Sequence, residues 1–575
     1  MKRLCLILII MLGLTTILSA QYNERDILSQ QAYQLLARRQ FSEAEQLFLQ
    51  ILDKYPDDQM SIQQLLQIYF QTSQLPKAEA MLNEKQRVLP SGLYTEQSIL
   101  LDIHKGLPLE AMKLAHQYLA QENYDQNKYR LIASYFDSRG FYEQVLQLYD
   151  SARTYYHNND LFILEIANSA LNFRQLPRAM DEYLRFIVLN PGNIYFINNQ
   201  IKTIISEDST LVDQIRDRTL KTGEPILWEL YANTLVELKQ YHKALQAYQN
   251  LPPTKLYRFA EDQYAALHDE VAALSFAYLD STATDIGWRA DYRLRLAQID
   301  YRNGRTIQAK TILDSLFREP QLNSPAVKNR IQANYVGRKL LADILLSTNA
   351  AQDSVLAVLQ EARAYGRNQY EIQEADLLIG RFHLMLQEYD KAEAQFKRVT
   401  DPAQAEKIEF FRFLAVLTQN QLSLADSLMN EYIIRFPGSS FTNDAIYLMM
   451  LVYDLSETGR QGFFDALRAY NLVNKNAPAM LNAVFETNKD EELRLLAIEW
   501  ALSLGEIDQA SALLDYPWED EVAKEYSTIL KLSLSRDSAY EQRFAREYLK
   551  ENPNSIFSPR LRQIISRMNY SKPNL

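Results

Sequence analysis

A fixed interval constrains this chain more than its composition does. Phe41, Ala44, Phe48 and Pro56 are each followed, 34 residues later, by Leu75, Ala78, Leu82 and Pro90. A generic amphipathic helix repeats its apolar positions every three or four residues and has no reason to share one long offset among four anchors. The order is a large apolar residue, a small residue, a large apolar residue one turn on, then proline. Later stretches fill the same slots. Residues 163–191 carry Ala167, Leu176, Ala179, Tyr183 and Pro191, and residues 228–248 carry Trp228, Ala232, Tyr241, Ala244 and Tyr248. Residues 379–396 carry Ile379, Gly380, Tyr389, Ala392 and Phe396, and Ala425, Met429 and Pro437 follow at a spacing of 33. Ala309 with Leu313, and Ala510 with Leu514, mark further copies, each after a glycine turn at Gly304 or Gly505.

This arrangement resembles the tetratricopeptide repeat. The physics behind it is that alanine or glycine in the first helix (A) and alanine early in the second (B) let two backbones approach closely. The aromatic residue one turn on fills the groove between neighbouring pairs, and proline ends helix B. Each pair leaves an apolar face that only stacking can bury. The resemblance implies an all-α fold, a right-handed TPR-like α-solenoid of stacked antiparallel helix pairs. It also implies partners that lie along a concave face built by helix A residues.

The register is uneven. Ala309 to Ala392 spans 83 residues and Ala425 to Ala510 spans 85, so the intervening pairs run to about 40 residues. Ser324-Pro325 and Asp353-Ser354 read as helix starts within those stretches. The expected organisation is a signal peptide over 1–20, a tetratricopeptide array over 21–253 and degenerate helix pairs over 254–370. Repeats follow over 371–440, then degenerate helices over 441–575, with roughly 13 to 15 pairs in all. Arg435-Phe436-Pro437-Gly438-Ser439-Ser440 and Glu551-Asn552-Pro553-Asn554-Ser555 each stop a helix and offer a serine to cap the next. That phrase is similar to one common in tetratricopeptide proteins of the bacterial envelope.

Composition agrees with a folded helical chain. Glycine is only 15 and proline 18 of 575 residues, too little punctuation for a loop-rich or β-rich protein, while 36 tyrosines and 24 phenylalanines supply a core. Lys2 and Arg3 precede an apolar run from Leu4 to Leu18, and Ser19-Ala20 offers a cleavage point, as in a secretory signal. An apolar run of about fifteen residues is short for a membrane span. Cys5 is the one cysteine, and Gln21 stands where a lipoprotein would need one, so no lipid anchor is expected. A mature chain without thiols suits an oxidising compartment such as the periplasm. Its net charge, −13 once Lys2 and Arg3 are removed, opposes nucleic acid and anionic membranes as partners.

Catalytic and metal-binding patterns are not found in the sequence. None of the six histidines has another four residues on, and no phosphate loop, nucleophile elbow or calcium loop occurs. No cofactor and no metal is expected. His383 sits at a usually aromatic slot of helix A and reads as a packed core ring. The acid clusters Asp490-Glu491-Glu492 and Glu519-Asp520-Glu521 begin helices, where they complement the macrodipole. Arg289, Arg293, Arg295, Arg302 and Arg305 interleave with Trp288, Tyr292 and Tyr301. Arg289 and Arg293 share a helical face and form a candidate carboxylate anchor. The competing reading pairs the patch with nearby acids such as Asp291 and Asp300. Carried over from the resemblance, the slot after the small residue of helix A holds Gln67, Asn168, Asn233, Gln298 and Arg381, candidates for bonding an extended peptide. The expectation is a non-enzymatic scaffold for proteins or peptides in the periplasm or envelope, with the envelope assembly machinery among the candidate partners. A helical repeat protein that binds glycan or peptidoglycan is the alternative.

Overall fold

A computed structural model describes residues 24–566 except 326, 328, 533, 535–537 and 554. The signal segment expected over 1–20 lies outside the described residues. Thirty-one α-helices follow one another from Phe41 to Ser566, after a helical run over 24–37, and no strand occurs among the described residues. That is slightly more than the 13 to 15 pairs expected. Contacts divide the chain into two compact units, one ending at Leu256 and the other beginning at Tyr257. Within each, consecutive helices pack as pairs and pairs stack, giving a tetratricopeptide-like α-solenoid.

One turn recurs at many of the junctions where helix A gives way to helix B. A residue with positive φ closes helix A, and the next N–H donates to the carbonyl five residues back, the Schellman closure of a helix end. Gln40 bonds Leu35 (2.9 Å), Gln74 bonds Tyr69 (2.8 Å), Leu107 bonds Asp102 (2.9 Å), Phe141 bonds Phe136 (3.0 Å) and Gln175 bonds Ala170 (2.8 Å). Those closures fall 34, 33, 34 and 34 residues apart, so the interval in the sequence is the interval of this turn. The pattern returns at Gln240, Arg305, Glu388 and Glu506. Glycine fills the left-handed position at Gly304 and Gly505, as expected, and also at Gly106 and Gly140, but Arg39, Ser73, Arg174, Lys239, Leu267 and Gln387 fill it elsewhere.

In the first unit the anchors Ala44, Phe48, Ala78, Leu82, Ala179, Tyr183, Ala244 and Tyr248 are all buried. A bidentate pair ties the helix Tyr142–Tyr156 to the helix Leu176–Leu189. Arg153 Nη1 and Nη2 lie 2.5 and 2.7 Å from Glu182 Oε1 and Oε2, while Arg153 Nε donates to the Leu161 carbonyl at 2.8 Å. In the second unit a close helix approach centres on Gly380. A Cβ there would lie 2.5 Å from Phe396 Cε1 and 2.8 Å from its Cδ1. The ring of helix B thus packs directly on the backbone of helix A.

The caps follow the sequence reading at Ser439, whose Oγ accepts from Phe441 N (3.0 Å), and at Asp490, which accepts from Glu492 N (3.0 Å). Asp520 likewise accepts from Ala523 N at 2.7 Å. Ser324-Pro325 departs from its expected role: it lies in a run of turns, and the next helix begins at Gln332. Two amide side chains hold that segment instead, Asn323 Nδ2 donating to the Phe317 carbonyl (3.0 Å) and Asn334 Nδ2 to the Leu322 carbonyl (3.1 Å).

Two stability measurements test these constraints. Leu267 has φ 63° and is two-thirds exposed, so Leu267→Gly removes the left-handed penalty and little packing. It should stabilise the protein by about 0.5–1 kcal/mol in urea unfolding, while Leu267→Ala should not. Gly380→Ala should destabilise by about 1–3 kcal/mol even though alanine is the better helix former. A double-mutant cycle with Phe396→Leu should show coupling between the two sites. A neutral Gly380→Ala would mean the two backbones are not held this close.

Candidate partner-binding surface

The amides of helix A are positioned by tyrosines of helix B. Asn168, exposed on the helix Ile163–Asn172, accepts from the Tyr183 hydroxyl at 2.7 Å. Asn233, half-buried on the helix Pro225–Glu237, accepts from the Tyr248 hydroxyl, also at 2.7 Å. Burial pushes the Tyr183 phenol up to about 12, so at neutral pH it remains a donor. Each asparagine therefore spends its carbonyl oxygen inside the pair, which leaves both N–H bonds of the amide for a partner. Asparagine and tyrosine stand 15 residues apart in both copies. Gln67 is exposed on the helix Gln59–Gln71, between the buried Leu66 and Ile68. Gln298 is committed locally: its carbonyl accepts from Arg295 Nη1 (2.9 Å) and from the Tyr264 hydroxyl (3.4 Å).

The arginine patch is closed by acids from neighbouring helices. Arg293 Nε lies 3.1 Å from Asp280 Oδ1, and its Nη1 lies 3.0 Å from Glu319 Oε1. Arg289 is 3.8 Å from Asp280 and 3.6 Å from Glu319. Arg295 forms a bidentate pair with Glu261 at 2.8 and 3.0 Å, Arg302 pairs with Asp269, and Arg305 pairs with Asp300 at 2.7 Å. Asp300 was anticipated; Asp280, Glu319, Glu261 and Asp269 were not. Arg289 and Arg293 are thus on one face, as expected, with their forks already occupied.

Arg381 differs. It projects from the helix Gln369–Met385 into a hollow of about 330 Å³, walled mainly by leucine and phenylalanine from that helix and from the helices Ala405–Thr418 and Glu457–Asn471. The residue is exposed, with the wall of the hollow crowding one side of its guanidinium. Burial pushes its pKa below the usual arginine range, with Asp343 and Tyr470 pulling only partly the other way. Among the described residues no carboxylate comes within ion-pair reach, and the nearest aromatic contact is the Phe411 ring, 6.0 Å away. His383, two residues on, is buried with Nδ1 2.6 Å from Glu388 Oε2, a packed ring with a polar tether. Among the described residues no cluster of three histidines, cysteines or acids suited to a metal forms, and none of their helices is long and apolar enough to cross a membrane.

The geometry defines a tetratricopeptide-like helical repeat protein. No family model matches the sequence, and no curated protein matches it. Among solved structures, the chain is similar to one described as Naa15/Naa10 bound to HypK-THB, at 13% identity and a TM-score of 0.26. That alignment covers 96% of this chain and 100% of the other. It is also similar to the APC/C hetero-tetramer Cut9-Hcn1, at 12% identity and a TM-score of 0.28, over 74% of this chain and 96% of that one.

Glu374 on the cavity wall gives a pH test. Burial raises its pKa, but hydrogen bonds from Lys339 Nζ (2.7 Å) and the Tyr335 hydroxyl (2.6 Å) outweigh that and hold it below the ordinary glutamate value of 4.5. A carboxyl depressed on folding contributes stability that is present above its unfolded pKa and lost as pH falls through the folded one. Glu374→Gln should cost about 1 kcal/mol at pH 7. The gap to wild type should narrow as pH drops from about 5 to below the depressed folded value. Urea midpoints across that range check it; a gap that widens in acid would contradict the assignment.

Proposed function

We propose that this protein is a non-enzymatic scaffold that holds partner proteins or peptides, working in the periplasm or cell envelope after removal of residues 1–20. The observation that carries the reading is the asparagine–tyrosine pair, repeated at Asn168 with Tyr183 and at Asn233 with Tyr248. A hydrogen bond inside the repeat fixes each amide, and its N–H donors are left for a carbonyl of an extended chain. Because such contacts read backbone and not side chains, they suit a binder tolerant of sequence. The location rests on Lys2 and Arg3 before the apolar run and on the small residues Ser19 and Ala20 after it. Components of the envelope assembly machinery are the partners to seek first.

A photo-crosslinking residue placed at Asn172, exposed one turn beyond Asn168, should yield discrete protein adducts in intact cells. The same probe at Leu189, exposed at the end of the helix Leu176–Leu189, should not. Adding Asn168→Ala with Asn233→Ala should lower the adduct yield about 10-fold or more, as expected for two lost hydrogen bonds. Intact mass of the recovered protein should begin at Gln21. Adducts indifferent to the double substitution, or a chain recovered with residues 1–20 in a soluble cytoplasmic fraction, would defeat the reading.

A further inference from the structure

The hollow at Arg381 has features that a surface for extended peptides does not need. Its volume of about 330 Å³ falls at the lower end of the range of small-molecule sites, roughly 300–1,000 Å³. Leu377, Leu378, Phe411, Leu414, Phe464 and Leu467 form much of the wall, so the body of an occupant must be apolar. The polar groups of the wall are mostly spent. Glu374 accepts from Lys339 and Tyr335, and Thr418 Oγ1 donates to the Leu414 carbonyl at 2.8 Å. Asn471 Nδ2 donates to the Leu467 carbonyl at 3.0 Å, and Arg468 pairs with Asp465 at 3.5 Å. Gln387 and Lys407 are exposed at the rim.

A peptide entering this space would bring N–H and C=O groups that the wall has little left to satisfy, at a cost for each one buried unpaired. An alkyl or aryl chain brings none. What the wall does hold is the Arg381 guanidinium, exposed at the hollow with no ion pair and no hydrogen bond among the described residues. Asp343 and Lys339 contribute opposite charges to its surroundings and partly cancel. An arginine in that position gains most from a single carboxylate, which its fork can bind bidentately.

We propose that this cavity is a binding site for a small amphiphilic carboxylate, an apolar chain or ring system lying along the leucine and phenylalanine wall with its one anionic head on Arg381. The site goes beyond the scaffold reading and does not depend on it, since the asparagines that carry that reading lie in the other unit. The unpaired guanidinium of Arg381 suits a single anionic head, and a wall whose donors are mostly spent or confined to the rim does not favour a polyhydroxylated body.

The test is calorimetric titration of the full chain with decanoate, decanol and decyltrimethylammonium. Decanoate should bind at one site, about 10- to 100-fold more tightly than decanol, the range expected for a charge-assisted hydrogen bond. Decyltrimethylammonium should bind more weakly than decanol. Arg381→Leu should remove the preference for decanoate while leaving decanol binding unchanged, which also shows that the cavity has kept its fold. Arg381→Lys should retain part of the preference. Leu467→Trp should weaken decanoate and decanol together by filling the cavity. Equal binding of all three probes, no binding of decanoate at millimolar concentration, or decanoate binding indifferent to Arg381→Leu would each overturn the proposal. So would a protein crosslink lost in Arg381→Leu and not displaced by decanoate, which would assign the cavity to a polypeptide instead.

Discussion

The distance between paired backbones governs most of what this molecule does with its side chains. Where Ala44, Ala78, Ala179, Ala244 or Gly380 stands, no side chain separates the helices, and the aromatic or aliphatic residue that follows in helix B reaches the groove beyond. Interiors packed at crystal-like density do not yield to an extra methyl without moving something. At Gly380 the thing to be moved is the Phe396 ring, itself locked against Phe411 at a centroid distance of 6.0 Å. A close approach of this kind leaves the outward side of helix A uncovered by helix B, and Asn168 and Gln67 are exposed there. Surface and core are thus set by the same residue choice.

The turn between the helices has to be just as uniform, because its left-handed residue fixes the angle at which helix B returns. The chain accepts arginine, serine, lysine, leucine and glutamine at that position. Each carries a modest local penalty of about 1–2 kcal/mol, which the buried faces on either side offset. This explains how a protein so poor in glycine can repeat one glycine-type turn along its length. It also explains why the turns are only partly visible in the sequence: Gly106, Gly140, Gly304 and Gly505 mark four of them, while arginine, serine, lysine, leucine and glutamine at others carry no left-handed signature of their own.

Periodicity made the helix pairs legible: the small anchors of helix B and the large residues one turn on, from Ala44 and Phe48 to Ala392 and Phe396, are buried, while the prolines Pro56, Pro90, Pro191 and Pro437 stand exposed at the helix ends. Ser324-Pro325 misled because serine before proline suits both a helix start and a turn, and the local side chains Asn323 and Asn334 decided for the turn. The tyrosine partners of Asn168 and Asn233 were hidden less by distance than by looking at helix A alone. The arginine patch was harder. Asp280 lies near the end of the preceding helix and Glu319 beyond the following one, 13 and 26 residues from Arg293. Such pairs depend on how three successive helices stack, and no spacing rule within one helix contains that information.

The same stacking shows what an arginine requires once it leaves bulk water. Arg153 satisfies its fork with Glu182 and the Leu161 carbonyl. Arg338 lies between the rings of Phe317 and Tyr365, 4.1 and 3.7 Å from their centroids, and bonds Glu361 and Asn334. Arg494 stacks on Tyr516 and donates to the Leu513 carbonyl at 2.9 Å and to Asn482 at 3.1 Å. Each desolvated guanidinium is flanked by rings or matched by acceptors, as the cost of burying an unpaired charge demands. Arg381 breaks that pattern within the same fold. Its ring neighbour is distant, its acceptors are missing among the described residues, and the space in front of it is apolar. An arrangement that satisfies its buried arginines from within the chain and leaves an exposed one, without acceptors, beside an apolar hollow is most simply understood if that one takes its partner from outside.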